Sequence, residues 1–184
     1  MKALSREQLD SLLAVARKYS ERDYLMLLVM FLHGLRVTEV VGGWMYKPDG
    51  TKEWNPGLRA ENVVDGYIVV PRLKGSNACH QELMNTEREA LKKLEPGPDG
   101  RLFPMCRKTA WLKFKTYGAE AGIPAFLAHP HTMKHTCGTL GLKGGMTLPQ
   151  VQTRLGHKSG ASTMVYLQVG EDEAAKAFAA AVGA

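Results

Sequence analysis

The 184-residue chain is long enough for one domain with a sizeable core, and its 45% hydrophobic and 23% charged content is that of a globular protein, not a disordered one. A formal net charge of +6 favours polyanionic partners over acidic small ligands. Three scattered cysteines (Cys79, Cys106, Cys137) with no CxxC argue against a disulfide framework or structural zinc, and an apolar run confined to residues 24–32 is too short to span a membrane, so a cytoplasmic protein is expected.

Ser5 to Gln8 reads as a capping box, followed by Leu9, Leu12, Leu13 and Ala16 at helical spacing. Met1 leads straight into this polar amphipathic segment, with no signal peptide expected before it. A second helix begins near Ser20 and carries Leu25, Leu28, Val29 and Leu32, apolar nearly all round and therefore central. His33-Gly34 stops it, Gly34 being suited to a left-handed position, and Thr38-Glu39 opens another short helix. Arg36 sits in that break, either as a surface arginine at a helix end or as a functional group.

Residues 42–57 hold four glycines, two prolines, Trp44, Trp54 and Tyr46. They read as an excursion of turns with aromatic anchors, packed on its own domain or offering a contact surface. Residues 62–70 are a β-hairpin signal joined by Asp65-Gly66, and a third strand covers residues 80–83. Lys74 then lies at the tip of this small sheet. Thr86 to Glu89 reads as a second capping box, with Ala90, Leu91 and Leu94 inward. Residues 108–117 form a basic helix whose Trp111, Phe114 and Tyr117 are expected in the core. Further helices cover residues 131–142 and the stretch after Thr147, capped with Gln150, until Gly156 stops it and presents His157. Glu171-Asp172-Glu173 opens an Ala-rich terminal helix, acids at its positive end. The expected fold is mainly α with a small antiparallel three-stranded β-sheet.

Charge and chemistry converge late in the chain. Residues 129–169 hold four of the six histidines, and no Asp or Glu occurs from Ala121 to Gly170. Residues 100–170 carry nine Lys or Arg against the single acid Glu120, the footprint of a surface that meets a polyanion. His131 and His135, four apart on a helix, could face a metal, but Thr132 follows His131 and no carboxylate stands near as base or hard ligand. Serine or cysteine hydrolysis lacks a strand–nucleophile–helix elbow. Metal-free phosphoryl transfer fits better, because it needs a nucleophile, cations around a five-coordinate phosphorus, and a proton donor for the leaving oxygen. Tyr166 can be the nucleophile, Arg36 can clamp phosphate oxygens, His131 and His157 can move protons, and Lys74 can be the acid. A carboxylate beside the phosphate would repel it.

These residues carry a resemblance. Residues 31–40 (FLHGLRVTEV) resemble the first arginine box of the tyrosine recombinases, the phage integrase family, and residues 70–75 (VPRLKG) resemble its hairpin lysine. Residues 129–136 (HPHTMKHT) are similar to its HxxR box, and residues 155–159 (LGHKS) through Tyr166 to its LGH and tyrosine boxes. The four lie in the family's order and cover most of the chain. The resemblance implies that Tyr166 attacks a DNA phosphate, forms a 3′-phosphotyrosyl link and releases a 5′-hydroxyl. It implies that Arg36 and Lys134 hold the non-bridging oxygens, Lys74 protonates the leaving oxygen, and His131 and His157 support proton transfer. Glu39 would buttress Arg36, with His135 behind the site; Arg72, Arg107, Lys108 and Lys158 are further candidates for touching DNA. No metal and no cofactor are implied. Double-stranded DNA is the expected partner, bound by a dimer or tetramer of the chain, with the terminal helix and its Phe178 docking on a neighbour or packing in cis.

Two departures stand out. Lys134 replaces the family's arginine, turning a planar two-pronged donor into a point charge. And a catalytic-domain-like helix starts at Ser5, so all of residues 1–184 is read as catalytic domain without the family's N-terminal DNA-binding domain. Weak, salt-dependent DNA binding is expected of such a chain. Site-specific recombination is therefore the expected function. A type IB topoisomerase-like nicking and closing enzyme, and a DNA-binding protein that no longer cleaves, are the alternatives.

Overall fold

The computed structural model describes residues 3–46, 49–70, 79–164 and 179. Two helices come first, α1 (Arg6–Tyr19) and α2 (Glu21–Leu32). The Ser5 hydroxyl accepts from the Gln8 N–H while the Gln8 side chain accepts from the Ser5 N–H, the reciprocal box expected from sequence. Ser20, extended at φ −167°, ends α1 by donating to the Ala16 carbonyl and opens α2 by accepting from the Asp23 N–H. A side-chain cap of this kind stabilises a helix by about 1 kcal/mol. Six consecutive α2 residues, Leu25 to Met30, are buried, which only a central helix can tolerate.

After α2 come α3 (Val37–Val41), β1 (Gly43–Tyr46), β2 (Lys52–Asn55), a 3-10 turn (Ala60–Asn62), β3 (Val63–Val64), β4 (Tyr67–Val70) and β5 (Cys79–Glu82). Then follow α4 (Asn85–Lys93), α5 (Arg107–Glu120), α6 (His131–Lys143), α7 (Leu148–Leu155) and the short α8 (Ala161–Met164). The fold is mainly helical, with α2 packed against α1, α3, α4 and α6. Its core combines Leu9, Leu12 and Ala16 of α1 with Leu25, Val29 and Met30 of α2 and with Phe103 and Phe114. Strands β3, β4 and β5 form the expected three-stranded antiparallel sheet, Val64 opposite Tyr67 and Val69 opposite His80. Asp65 and Gly66 make its first turn with φ of 49° and 82°, the left-handed pair that an Asp-Gly hairpin supplies.

Three expectations change. Residues 42–57 are not a run of turns: β1 and β2 pair antiparallel, with Trp44 opposite Trp54 and Tyr46 opposite Lys52. The two indoles meet edge-on at 5.3 Å, and both are more than half exposed, so the segment is a two-stranded hairpin presenting its aromatics to solvent. Cross-strand aromatic pairing supplies what the Gly and Pro content obscured, and near the turn the Asp49 carboxylate accepts from the Thr51 N–H beside Gly50 at φ 81°. Helix α4 starts at Asn85, before Thr86, because the Glu87 carboxylate, third in the helix, accepts from the Met84 N–H at 2.9 Å. On α5, Phe114 and Tyr117 are buried as expected, but Trp111 is 41% exposed at the helix edge. Lys74, Arg72, Tyr166 and the stretch opened by Glu171 and including Phe178 lie outside the described residues.

Candidate functional site

The site begins where α2 stops. Gly34 has φ +58°, and a Cβ there would lie 2.5 Å from Leu155 Cδ2, so glycine lets this turn seat against the end of α7. Two residues on, Arg36 caps α3. Its N–H donates to Glu39 Oε2 at 2.6 Å and its Nη1 to Glu39 Oε1 at 3.0 Å. Glu39 is fully buried, while the Arg36 side chain stays about a quarter exposed. A buried carboxylate gripping both backbone and guanidinium of one residue fixes a side chain whose rotamer freedom is otherwise worth about 1.5–2 kcal/mol.

Arg36 and His131 share a cleft of about 460 Å³ whose other walls include Arg107, Lys108, Trp111 and His129. His131 is the first residue of α6 and keeps one side open to the cleft. Burial of the rest of its ring, helped by the neighbouring His135, Arg36 and Lys134, pulls its pKa down to about 4. At neutral pH the ring is therefore an acceptor as well as a donor. His135, one turn along, meets it edge-on at 5.0 Å.

Lys134 turns inward. It is buried, and its Nζ donates to the Leu155 carbonyl at 2.6 Å, at the negative end of α7 where a cation is favoured. Past that carbonyl, Gly156 takes φ +67° and the chain reverses into His157. The reversal is bracketed: the His157 N–H donates to the Gln152 carbonyl at 3.0 Å and the Gln152 amide donates to the His157 carbonyl at 3.1 Å. The ring is oriented by Nδ1, 3.0 Å from the hydroxyl of buried Thr163.

Four of the sequence-predicted side chains are thus gathered where the α2–α3 turn, the start of α6 and the end of α7 meet: Arg36, His131, Lys134 and His157. Glu39 and His135 stand behind them. Arg107 and Lys108 form a cationic wall of the cleft, and Lys158 is exposed beside His157. Sequence reasoning missed His33, Gln81, Glu87 and Arg154, which link the α2, α4, β5 and α7 elements around the site through buried or half-buried polar contacts. The one signal available was a histidine placed between an apolar helix and its terminating glycine. Among the described residues no three His, Cys, Asp or Glu side chains group as metal ligands would, and no helix is long and apolar enough to cross a membrane.

With this geometry in view, likeness to known proteins is informative. The sequence profile of the phage integrase family matches residues 57–173. The tyrosine recombinase XerD of Xanthomonas campestris pv. campestris is 32% identical over 182 residues, covering 91% of this chain and 55% of that protein. The chain spans about half the length of the curated relatives it matches. In structure it resembles the XerH site-specific recombinase bound to difH substrate in a pre-cleavage complex (TM-score 0.73, 19% identity, 96% of this chain and 53% of that one). It also resembles the catalytic domain of bacteriophage HP1 integrase (TM-score 0.68, 18% identity, 96% of this chain and 92% of that one).

Proposed function

Because the chain belongs to the phage integrase family, we propose that it is the catalytic part of a site-specific DNA recombinase, cutting and rejoining strands through a phosphotyrosine at Tyr166. The observation that carries this reading is the Arg36–Glu39 pair opening, beside His131, into a cleft with cationic walls. In the reaction, the Tyr166 oxygen bonds to phosphorus as the P–O5′ bond breaks. The phenolic proton passes to His131, which its low pKa leaves neutral and able to accept. Lys74 gives a proton to the departing 5′ oxygen. Arg36 neutralises the non-bridging oxygens, with a paired carboxylate holding its fork in place. His157 adds a hydrogen bond to the same oxygens, and Lys134, anchored on the Leu155 carbonyl, adds charge from behind. The phosphotyrosine conserves the bond energy, so a 5′-hydroxyl from another strand reverses the step without ATP.

Double-stranded DNA is the substrate, with Arg107, Lys108, Lys158 and Arg72 on the backbone and no metal or cofactor engaged. The chain acts in the cytoplasm as a dimer or tetramer on its site, with the segment around Phe178 docking on a neighbour or packing in cis. The test is a pool of nicked duplexes randomised around the nick. Cleavage beside a nick lets the short 5′-hydroxyl strand diffuse away and traps the covalent adduct. The expected result is an adduct that maps to Tyr166, recovers a defined sequence and disappears in Tyr166→Phe.

A second reading, a DNA-binding protein of this fold that no longer cleaves, draws on Lys134, whose ammonium is turned to a backbone carbonyl. Sequence-selective retention of duplexes from the same pool without any adduct would establish it. A nicking and closing enzyme of the type IB topoisomerase kind shares the chemistry; it would relax supercoiled plasmid without requiring paired sites.

A further inference from the structure

The polar residues that the sequence did not announce form a joint, and its connectivity can be followed atom by atom. His33, fully buried at the end of α2, has Nδ1 2.9 Å from Gln81 Oε1 on β5 and Nε2 2.8 Å from Glu87 Oε1 on α4. The Gln81 amide is oriented by its other end, where Nε2 donates to the Arg154 carbonyl at 2.8 Å, the penultimate carbonyl of α7. Gln81 Oε1 must then accept, so His33 Nδ1 carries a hydrogen. The link between Nε2 and Glu87 is made whichever atom holds that proton. Arg154 closes the ring: its Nε donates to the Leu32 carbonyl at 2.8 Å, the last residue of α2. Both carbonyls belong to helix ends, where the helix itself has no donor for them.

From this joint the chain runs one way to Arg36, three residues past His33, and the other way to His157, three residues past Arg154. The Arg154 side chain bonds the end of α2 directly to the end of α7. We infer that Gln81 and Arg154 are positioning residues, supported by His33 and Glu87, that hold Arg36 and His157 in register with one another. They do this from behind the cleft and touch no DNA. This inference rests on the proposed phosphotyrosine chemistry, in which those two side chains serve the same phosphate.

A residue that merely stabilises the fold and a residue that aims Arg36 and His157 can be told apart by the charge of the phosphate. A methylphosphonate at the scissile position lacks the negative oxygen those donors serve, so their aim matters little on it, whereas a general structural lesion slows both substrates alike. The experiment compares the unsubstituted chain, Gln81→Leu and Arg154→Met on the nicked site recovered from the pool, with diester or methylphosphonate, at saturating DNA. Displacing a catalytic group by about 1 Å costs on the order of a hundredfold. The expected result is adduct formation about ten- to a hundredfold slower on the diester, with rates on the methylphosphonate within about twofold of the parent. Equal slowing on both substrates, or no slowing, overturns the inference. Should Gln81→Leu fail to fold, Arg154→Met decides alone, since it leaves the His33–Gln81–Glu87 contacts in place. A parent chain that forms no adduct on the diester brings down the phosphotyrosine reading and this inference with it. A parent adduct with indifferent variants brings down the inference alone.

Discussion

Arg6 and Arg17 on α1 are each matched four residues on by a carboxylate, Asp10 and Glu21, at 3.0 Å, and all four side chains are more than half exposed. Lys134 on α6 and Arg154 on α7 are matched by backbone carbonyls, those of Leu155 and Leu32. Exposed ion pairs like the first kind contribute roughly 0.2–1 kcal/mol and cancel their own field. A carbonyl dipole accepts a cation's hydrogen without adding a formal negative charge. One helical surface pairs its arginines with carboxylates; near the cleft, two cations also tie helix ends together. Arg36 is the instructive intermediate, since it does use a carboxylate, but one buried where it orients the guanidinium and is screened from the cleft by it.

The largest effect is expected at that intermediate. Arg36→Ala removes one charge-assisted donor, about 10²–10³ in cleavage rate, and leaves Glu39 buried without that partner, so a Tm several degrees lower should accompany it. Single-turnover adduct formation and thermal melting read the two losses separately. A rate within threefold of the parent would remove Arg36 from the site. Lys134→Arg sharpens the comparison in the other direction. An arginine can keep the Leu155 carbonyl and add a planar fork, and cleavage should rise about tenfold; an unchanged rate means lysine does not limit this site.

A charge reversal on each surface tests the field itself. Lys158→Glu should flatten the plot of log Kd against log salt by about one unit, while Arg17→Glu on α1 should leave the slope unchanged. Equal slopes would show that the asymmetry of charge has no bearing on DNA.

The smallest effect is a pH dependence. The His131 pKa of about 4 in the folded chain lies below the ordinary 6.5, so between those values the unfolded chain binds more protons. Stability from the neutral ring is present above pH 6.5 and is lost as pH falls toward 4. The fall in Tm between pH 7 and pH 4.5 should be shallower in His131→Asn than in the parent, and parallel curves would refute it.

Much of this was readable because the signals were local. Ser5, Ser20, Thr147 and Gly156 sit at helix ends where a hydroxyl or a left-handed residue is needed, and the structure uses each that way. The Asp65-Gly66 turn carries its own backbone requirement. Arg36, His131, Lys134 and His157 were singled out by charge and by motif, and the fold brings them together. The joint behind them was not legible. His33, Gln81, Glu87 and Arg154 are 48 to 122 residues from their partners, and none of the four points to its partner in the sequence. Periodicity identifies which face of a helix is buried; it does not say which polar group on another element will meet it. Trp111 was misplaced for the same reason, being at the boundary between the apolar face of α5 and the cleft. The β1–β2 hairpin was missed because its strands are short and its composition is that of loops; only the cross-strand register puts Trp44 against Trp54.

That hairpin has an unusual root. A Cβ on Gly57 would lie 2.6 Å from the Gly42 nitrogen and 2.8 Å from the Val41 carbonyl carbon, so the chain leaves α3 and returns through nearly the same point. Asn55 Oδ1 ties the crossing by accepting from the Gly57 N–H at 2.8 Å, and the Leu58 N–H donates to the Val40 carbonyl at 2.9 Å just beyond it. Everything between the two glycines hangs from the domain like a pendant on a clasp. With Gly42, Asn55 and Gly57 kept as the clasp, the outer end of the hairpin beyond Tyr46 and Lys52 can take a grafted element without altering the path of the chain on either side, a single short helix away from Arg36.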